Sequence, residues 1–206
     1  METRDTLIEA AMKEIEREGL DNFSLRAVGA AAGLSPMAVY RHFASKQELL
    51  RAVGQEAFRT YNERVAAIPE MSLERWLRAI ARTYVEFYLD TPGRFDACFV
   101  LKTSVERVYP RDFRAGKSPV ISLMAQRLEA AQAAGEMEQT DALELALHFW
   151  AQLHGLVMLH KAGRFSLPRK AFLDLCDRGV MRFLEPSVTR PSSTAQRSKT
   201  RAGRSR

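Results

Sequence analysis

The sequence predicts an all-α protein of about nine helices, with a small N-terminal unit followed by a larger C-terminal one. Three observations carry this expectation. Apolar residues recur at three- and four-residue spacing through most of the chain, and no apolar–polar alternation persists long enough to make a strand. Ser and Pro repeatedly stand where a helix would open, and Gly where it would close. The 206 residues, 46% of them hydrophobic, suffice for a packed core. The 11 Gly and 8 Pro are near ordinary usage, which excludes collagen-like, mucin-like and wholly disordered classes.

Each helix has a local reason. Leu7, Ile8, Ala11 and Ile15 form one face of the first, which Gly19 stops. Ser24 is placed as the N-cap of the second, where Leu25, Val28 and Ala32 keep helical register up to Gly33. Ser35-Pro36 opens a third, ending near Phe43. Ser45-Lys46-Gln47-Glu48 reads as a capping box, whose hydroxyl and carboxylate each satisfy one end-of-helix amide. It begins a long helix over 46–68 with Leu50, Val53, Ala57, Tyr61, Val65 and Ile68 on its buried side. Pro69 breaks the pattern. Leu73, Trp76, Leu77, Ile80, Ala81, Tyr84, Phe87 and Tyr88 form a broad stripe, stopped by Asp90-Thr91-Pro92-Gly93. A less regular helix is expected over 93–108, and a polar loop from Pro110 to Lys117. Pro119 opens the next helix, with Val120, Leu123, Met124, Leu128 and Ala131 in register until Gly135. The last two helices, 141–161 and 168–184, differ in character. The first is apolar almost all round and must be covered by its own core or by a partner. The second carries Phe172, Leu173, Cys176, Gly179, Val180 and Phe183 on one face.

Charge is uneven. Lys+Arg is 31 and Asp+Glu is 25, but Arg190, Arg197, Lys199, Arg201, Arg204 and Arg206 all lie in residues 187–206. That stretch has no acid and is rich in Ser, Thr and Arg, so it is read as a disordered basic tail. The remainder balances at 25 against 25. The tail offers sequence-independent attraction to phosphates, or simply a solubilising end. Cys98 and Cys176 lie 78 positions apart, the low usage expected of a reducing cytosol. The N-terminus is acidic and amphipathic, unlike a targeting peptide. The longest uncharged run, Leu145 to His160, has 16 residues including three His, which reads as too short and polar to span a bilayer. A cytoplasmic protein with no membrane partner is expected.

Residues 24–50 concentrate the functional signal. Two short helices meet at a turn around Gly33-Leu34-Ser35, the spacing of a helix-turn-helix. Ala27, Ala31 and Ala32 are small enough for a close crossing, and Gly33 allows the positive φ of the turn. Small residues at the start of the second helix, Ser35, Pro36, Met37 and Ala38, would let its N-terminus enter a major groove. Tyr40, Arg41, His42 and Lys46 supply donors alongside it. Residues 1–65 hold 9 basic against 10 acidic residues, but seven of those acids fall in 2–21, away from the turn.

Gly33-Leu34-Ser35, Tyr40-Arg41-His42-Phe43 and Ser45-Lys46-Gln47-Glu48-Leu49-Leu50 resemble the DNA-binding domain of the TetR family of bacterial repressors. The similarity spans roughly residues 5–65. The resemblance implies a DNA-binding domain over 1–50, a helical ligand-binding and dimerisation domain over 51–186, and the helix at 46–68 connecting the two. By the same resemblance Ser24 and Lys46 contact phosphates. Leu25, Arg26 and the exposed residues from Ser35 to His42 read bases or phosphates, with Tyr40 and His42 as backbone clamps. Phe43 becomes a core plug. Gly29 departs from good helix practice by about 1 kcal/mol relative to Ala, which reads as a concession to packing.

Trp150-Ala-Gln-Leu-His154-Gly155 resembles the WHG variety of TetR C-terminal domain. Trp150 and His154 are one turn apart on the same face, and Gly155 is expected to admit a neighbouring helix. For His154, a hydrogen-bonded core residue is the first expectation. Trp76, Tyr84, Phe87, Tyr88, Phe95, Phe99, Leu123, Trp150, His154 and Met158 could surround an apolar cavity, although plain core packing explains most of them as well.

Metal, cofactor and catalytic chemistry are not expected. His148, His154 and His160 recur every six residues, each about 120° from the last around a helix, and cannot share one ion. No G-x-S-x-G, P-loop or dinucleotide fingerprint is present. The resemblance implies a homodimeric repressor, released from a palindromic operator when a small-molecule effector binds. Two alternatives remain: the same fold as a thiol-based redox regulator through Cys98 or Cys176, or a helical ligand-binding protein or enzyme.

Overall fold

The computed structural model describes residues 3–20, 22–101 and 107–184. The basic tail therefore lies outside the described residues. Ten helices are present among them: α1 (Thr3–Glu18), α2 (Leu25–Ala31), α3 (Pro36–His42), α4 (Lys46–Ala66), α5 (Leu73–Asp90), α6 (Pro92–Phe99), α7 (Arg111–Arg114), α8 (Pro119–Ala133), α9 (Ala142–Lys161) and α10 (Arg169–Leu184).

The predicted caps are in place. Ser24 Oγ accepts from the Ala27 amide, Ser35 Oγ from Ala38, and Ser45 Oγ from Glu48. The Glu48 carboxylate returns to the Ala44 amide at 2.8 Å, one residue ahead of the expected capping-box partner. Asp141 caps α9 by accepting from Leu143 and Glu144, each at 3.0 Å.

Two apolar cores result. The head core gathers Leu7, Ala11 and Ile15 of α1, Leu25 and Val28 of α2, Val39 of α3, and Phe43, with Leu49 and Val53 of α4. The body core gathers Trp76, Leu77, Tyr84 and Phe87 of α5, Met124 and Leu128 of α8, Phe149 and Leu153 of α9, and Phe172 and Cys176 of α10. Two helices belong to both. α4 passes from Leu49 and Val53 in the head to Ala57, Tyr61 and Val65 in the body. α6 places Ala97 in the head core and Phe95 in the body core.

The structure corrects several expectations. The helix expected over 93–108 closes at Phe99. The loop expected from Pro110 to Lys117 contains α7, organised around a buried carboxylate. Asp112 accepts from the Val108 amide at 2.9 Å, from Lys117 Nζ at 2.8 Å and from the Arg111 guanidinium. The close crossing of α2 and α3 depends on Gly29, whereas Ala31 is exposed. A Cβ at Gly29 would stand 2.9 Å from Val39 Cγ2 and 3.1 Å from the Leu34 carbonyl. Gly33 has φ +70°, as the turn requires.

α9 is corrected twice. Its 20 residues are long and apolar enough to cross a membrane by length and composition, beyond what the 16-residue run suggested. It packs instead against α8, α10 and α5, burying Ala146, Phe149, Leu153 and Val157. Among the described residues its opposite side is uncovered: Ala151 and Gly155 are exposed, Leu159 is 47% exposed, and a Cβ at Gly155 would meet nothing within 4 Å. Among the described residues, no helix packs on Gly155. The glycine at the α9–α10 crossing is Gly179, which approaches Gln152 and Leu156.

Candidate nucleic-acid interface and interior cluster

α3 is seven residues long, and only Val39 anchors it in the head core. The rest of its surface is presented outward. Ser35, Pro36, Arg41 and His42 are exposed, as are Met37 (67%) and Tyr40 (52%); Ala38 is half-buried. Neither Met37 nor Tyr40 belongs to the head core. Ser24 and Arg26 are exposed at the start of α2, beside the same surface. Leu25 differs from its expected role, because its side chain belongs to the head core. Phe43 is fully buried, as a core plug should be. Lys46 is half-buried and already engaged: its Nζ donates to the Phe23 carbonyl at 2.7 Å and stands 5.5 Å from the Phe23 ring centroid. It pins the start of α4 to the segment before α2.

The expected interior residues divide into groups. Tyr84, Phe95, Phe99, Trp150 and His154 come together, with ring centroids 5.0–6.5 Å apart. Phe87 packs against Phe95 and Phe99. Tyr84 Oη lies 2.7 Å from His154 Nδ1, with the Trp150 side chain close enough to act on the same hydroxyl. The Tyr84 hydroxyl donates and the His154 ring nitrogen accepts. Burial favours that assignment at both ends. It holds the Tyr84 hydroxyl protonated and lowers the His154 pKa, leaving a neutral ring to accept. His154 is thus the hydrogen-bonded core residue that was expected.

Tyr88 contributes to a neighbouring cluster, its hydroxyl 2.9 Å from His160 Nδ1, with His160 stacked on Phe172 at 4.1 Å. Trp76 stands apart. It is buried two helical turns from Tyr84, with the Arg127 guanidinium 4.5 Å from its ring. Leu123 and Met158 are half-buried, and Leu123 packs on the body core. Tyr61, read from periodicity as plain core, is a member of the aromatic set, 5.9 Å from Tyr84 and 5.4 Å from Phe99. Phe58 and Arg107 border it and were not anticipated. Periodicity held no signal for Arg107, which lies between α6 and α7. Burial raises the pKa of Cys176 to about 11 and moves Cys98 in the same direction.

Comparison with known proteins accords with this division. Residues 7–53 match the family described as bacterial regulatory proteins, tetR family. Residues 77–183 match the tetracyclin repressor-like C-terminal domain. An uncharacterised HTH-type transcriptional regulator of Mycobacterium tuberculosis is 24% identical over 166 residues, 78% of this chain and 71% of that protein. The HTH-type transcriptional repressor NicS of Pseudomonas putida is 22% identical over 186 residues, 85% and 84% of the two chains. Among solved structures, a protein of unknown function from Rhodococcus sp. RHA1 superposes with a TM-score of 0.74 at 25% identity, covering 92% of this chain and 97% of that one. The fatty acid degradation regulator FadR of Bacillus halodurans gives 0.67 at 14% identity, covering 87% and 95%. A TetR variant of Acinetobacter baumannii in complex with minocycline gives 0.63 at 15%, covering 88% and 94%.

Proposed function

Because the chain belongs to the tetR family of bacterial regulatory proteins, and is therefore a DNA-binding transcriptional regulator and not an enzyme, we propose that it acts as a homodimeric repressor that a small-molecule effector releases from a palindromic operator. The observation that carries this reading is the exposed outer surface of α3, bounded by Met37, Tyr40, Arg41 and His42. Ser35, Pro36, Met37 and Ala38 enter the major groove. Tyr40 and His42 hold the phosphate backbone, joined by Ser24, Arg26 and the backbone amide of Leu25. Lys46 approaches the phosphates through the same end of α4. A repressor acting on chromosomal DNA would work in the bacterial cytoplasm.

The uncovered side of α9, with Ala151, Gly155 and Leu159, together with α10, supports these helices as the dimer interface. Two heads would then address half-sites roughly 34–36 Å apart. The body reads as the WHG variety on the strength of Trp150, His154 and Gly155. An effector held among Tyr84, Phe99, Trp150 and His154 meets α6 directly through Phe99 and α4 through the neighbouring Tyr61, and both helices also enter the head core, so a shift of α4 and α6 changes the separation of the heads. The effector must bind the DNA-incompetent arrangement more tightly, since equal affinity would shift nothing.

Selection of sites from random duplexes at two salt concentrations tests the reading. An enriched palindrome that Tyr40→Ala abolishes supports it. Unselective, salt-labile binding indifferent to that change would sink it. Sedimentation velocity tests the dimer. Gly155→Arg, placed in open space within the protomer, should yield a folded monomer with reduced operator affinity.

A further inference from the structure

Three arginines of the body, Arg94, Arg107 and Arg127, are drawn back from full solvent exposure. Two have acidic partners: Arg94 faces Glu16 at 3.9 Å, and Arg127 pairs with Glu70. Arg107 has no carboxylate partner among the described residues. Its guanidinium instead stands 4.1 Å from the centroid of the Phe58 ring, an interaction that offsets only part of the loss of water. Burial depresses its pKa, the signature of a cation held where its charge is poorly solvated.

The surroundings define what would complete it. Cys98 is close enough for the two groups to affect each other's ionisation, yet burial keeps the thiol neutral, so it does not balance the charge. Cys98 in turn neighbours Tyr61 and Tyr84. The Phe58 ring lies 6.2 Å from Phe99 and 6.5 Å from Tyr61. Among the described residues, Arg107 thus has no carboxylate to answer its positive charge at the rim of the aromatic interior. A guanidinium cannot shed its proton at physiological pH, and its planar fork matches a carboxylate in two parallel hydrogen bonds.

We propose that Arg107 anchors the anionic group of the effector, and that the effector is an apolar organic acid whose hydrocarbon or aromatic body lies against Phe58, Tyr61 and Phe99. The assignment rests on the reading of the body as the effector-binding unit and gives that unit a chemical preference. A neutral molecule of the same shape leaves the guanidinium unpaired and binds less well.

The test compares two probes that differ in one charged group. 8-Anilinonaphthalene-1-sulfonate is an aromatic anion; N-phenyl-1-naphthylamine has the same rings without the charge. Each is titrated by fluorescence against the full chain, Arg107→Met, Arg107→Lys and, as a control at an exposed arginine, Arg178→Met, with melting curves run in parallel to confirm folding. Arg107→Met is expected to weaken sulfonate binding about tenfold or more and to leave the naphthylamine within about twofold. Arg107→Lys should fall between Met and the unchanged chain, and Arg178→Met should change neither probe. Sulfonate binding indifferent to Arg107, or an equal loss of both probes, would overturn the anion assignment while leaving the effector reading in place. Failure of both probes to bind the unchanged chain would overturn that reading, and the assignment with it.

Discussion

The carboxylate of Glu16, near the end of α1, accepts a hydrogen bond from the backbone amide of Arg94 at 2.9 Å in the first turn of α6. Its second oxygen accepts from the Gly93 amide at 3.2 Å. Thr91, the residue at the N-cap position, makes no such bond and turns its hydroxyl back to the Phe87 carbonyl at 2.8 Å. A residue of the DNA-reading head therefore caps a helix whose aromatic side chains belong to the body. Gly93 makes the approach possible, because a Cβ there would stand 2.8 Å from Ile15 Cγ2 and 3.0 Å from the Ile15 backbone.

Glu16→Ala should lower the stability of the chain by about 1 kcal/mol, the usual cost of losing a helix cap, with Glu16→Gln retaining part of it. A denaturant titration measures this. The same variant should need more effector to release the operator, since the contact that transmits a shift of α6 to α1 is loosened. Release unchanged from the parent chain would separate α6 from the response.

Gly29→Ala gains about 1 kcal/mol of helix propensity and should still destabilise the head. The new methyl group would collide with Val39, a stiff β-branched side chain, and press on the Leu34 carbonyl. Overpacking of this kind costs about 1–3 kcal/mol. Thermal melting should show a net loss, and operator affinity should fall because α3 is displaced. Stabilisation would mean that the α2–α3 crossing has slack.

Asp112 predicts a pH dependence. Hydrogen bonds from Arg111, Lys117 and the Val108 amide hold its carboxyl well below the usual aspartate range. A depressed folded-state value contributes stability that is complete above the unfolded pKa, near 4, and is lost as pH falls toward the folded one. Asp112→Asn should therefore melt below the parent chain at pH 7, and the gap should narrow as the pH is lowered below about 4. A gap independent of pH would assign the effect to packing alone.

Both cysteines should react slowly with an alkylating probe at pH 7.5 in the native state, and quickly after denaturation. Burial disfavours the thiolate at each position, with Cys176 pushed up to about 11. Fast native labelling of either one would revive the redox alternative.

Much of the head was legible because its determinants are local. Ser24, Ser35 and Ser45 announce helix starts by chemistry confined to a few residues, and Gly33 announces the turn in the same way. Gly29 reads in the sequence as a concession to packing, and the Val39 contact behind it is tertiary. α7 was missed because its stability comes from one aspartate buried by tertiary contacts, with no periodic pattern to reveal it. The apolar circumference of α9 was readable, but periodicity does not say which side its own chain leaves bare. Within the interior, Tyr84 belongs to the apolar stripe of α5, and Trp150 and His154 to the W-x-x-x-H-G pattern of α9, which with Phe99 placed them among ten candidates without separating lining from plain core. Arg107 escaped notice because an arginine in an irregular stretch looks the same whether its charge is answered or not.

The placement of Ala97 bears on how separable the two halves are. The head completes its core with a residue some thirty positions beyond the end of α4 in sequence, delivered by a helix whose opposite face sends Phe95 into the body core. A fragment ending with α4 would lack Ala97 and the Glu16 contact, and would expose the apolar side of α1. Grafting this head onto a foreign sensor should succeed only when α6 travels with it, and calorimetry of the intact chain should show both halves melting as one cooperative unit.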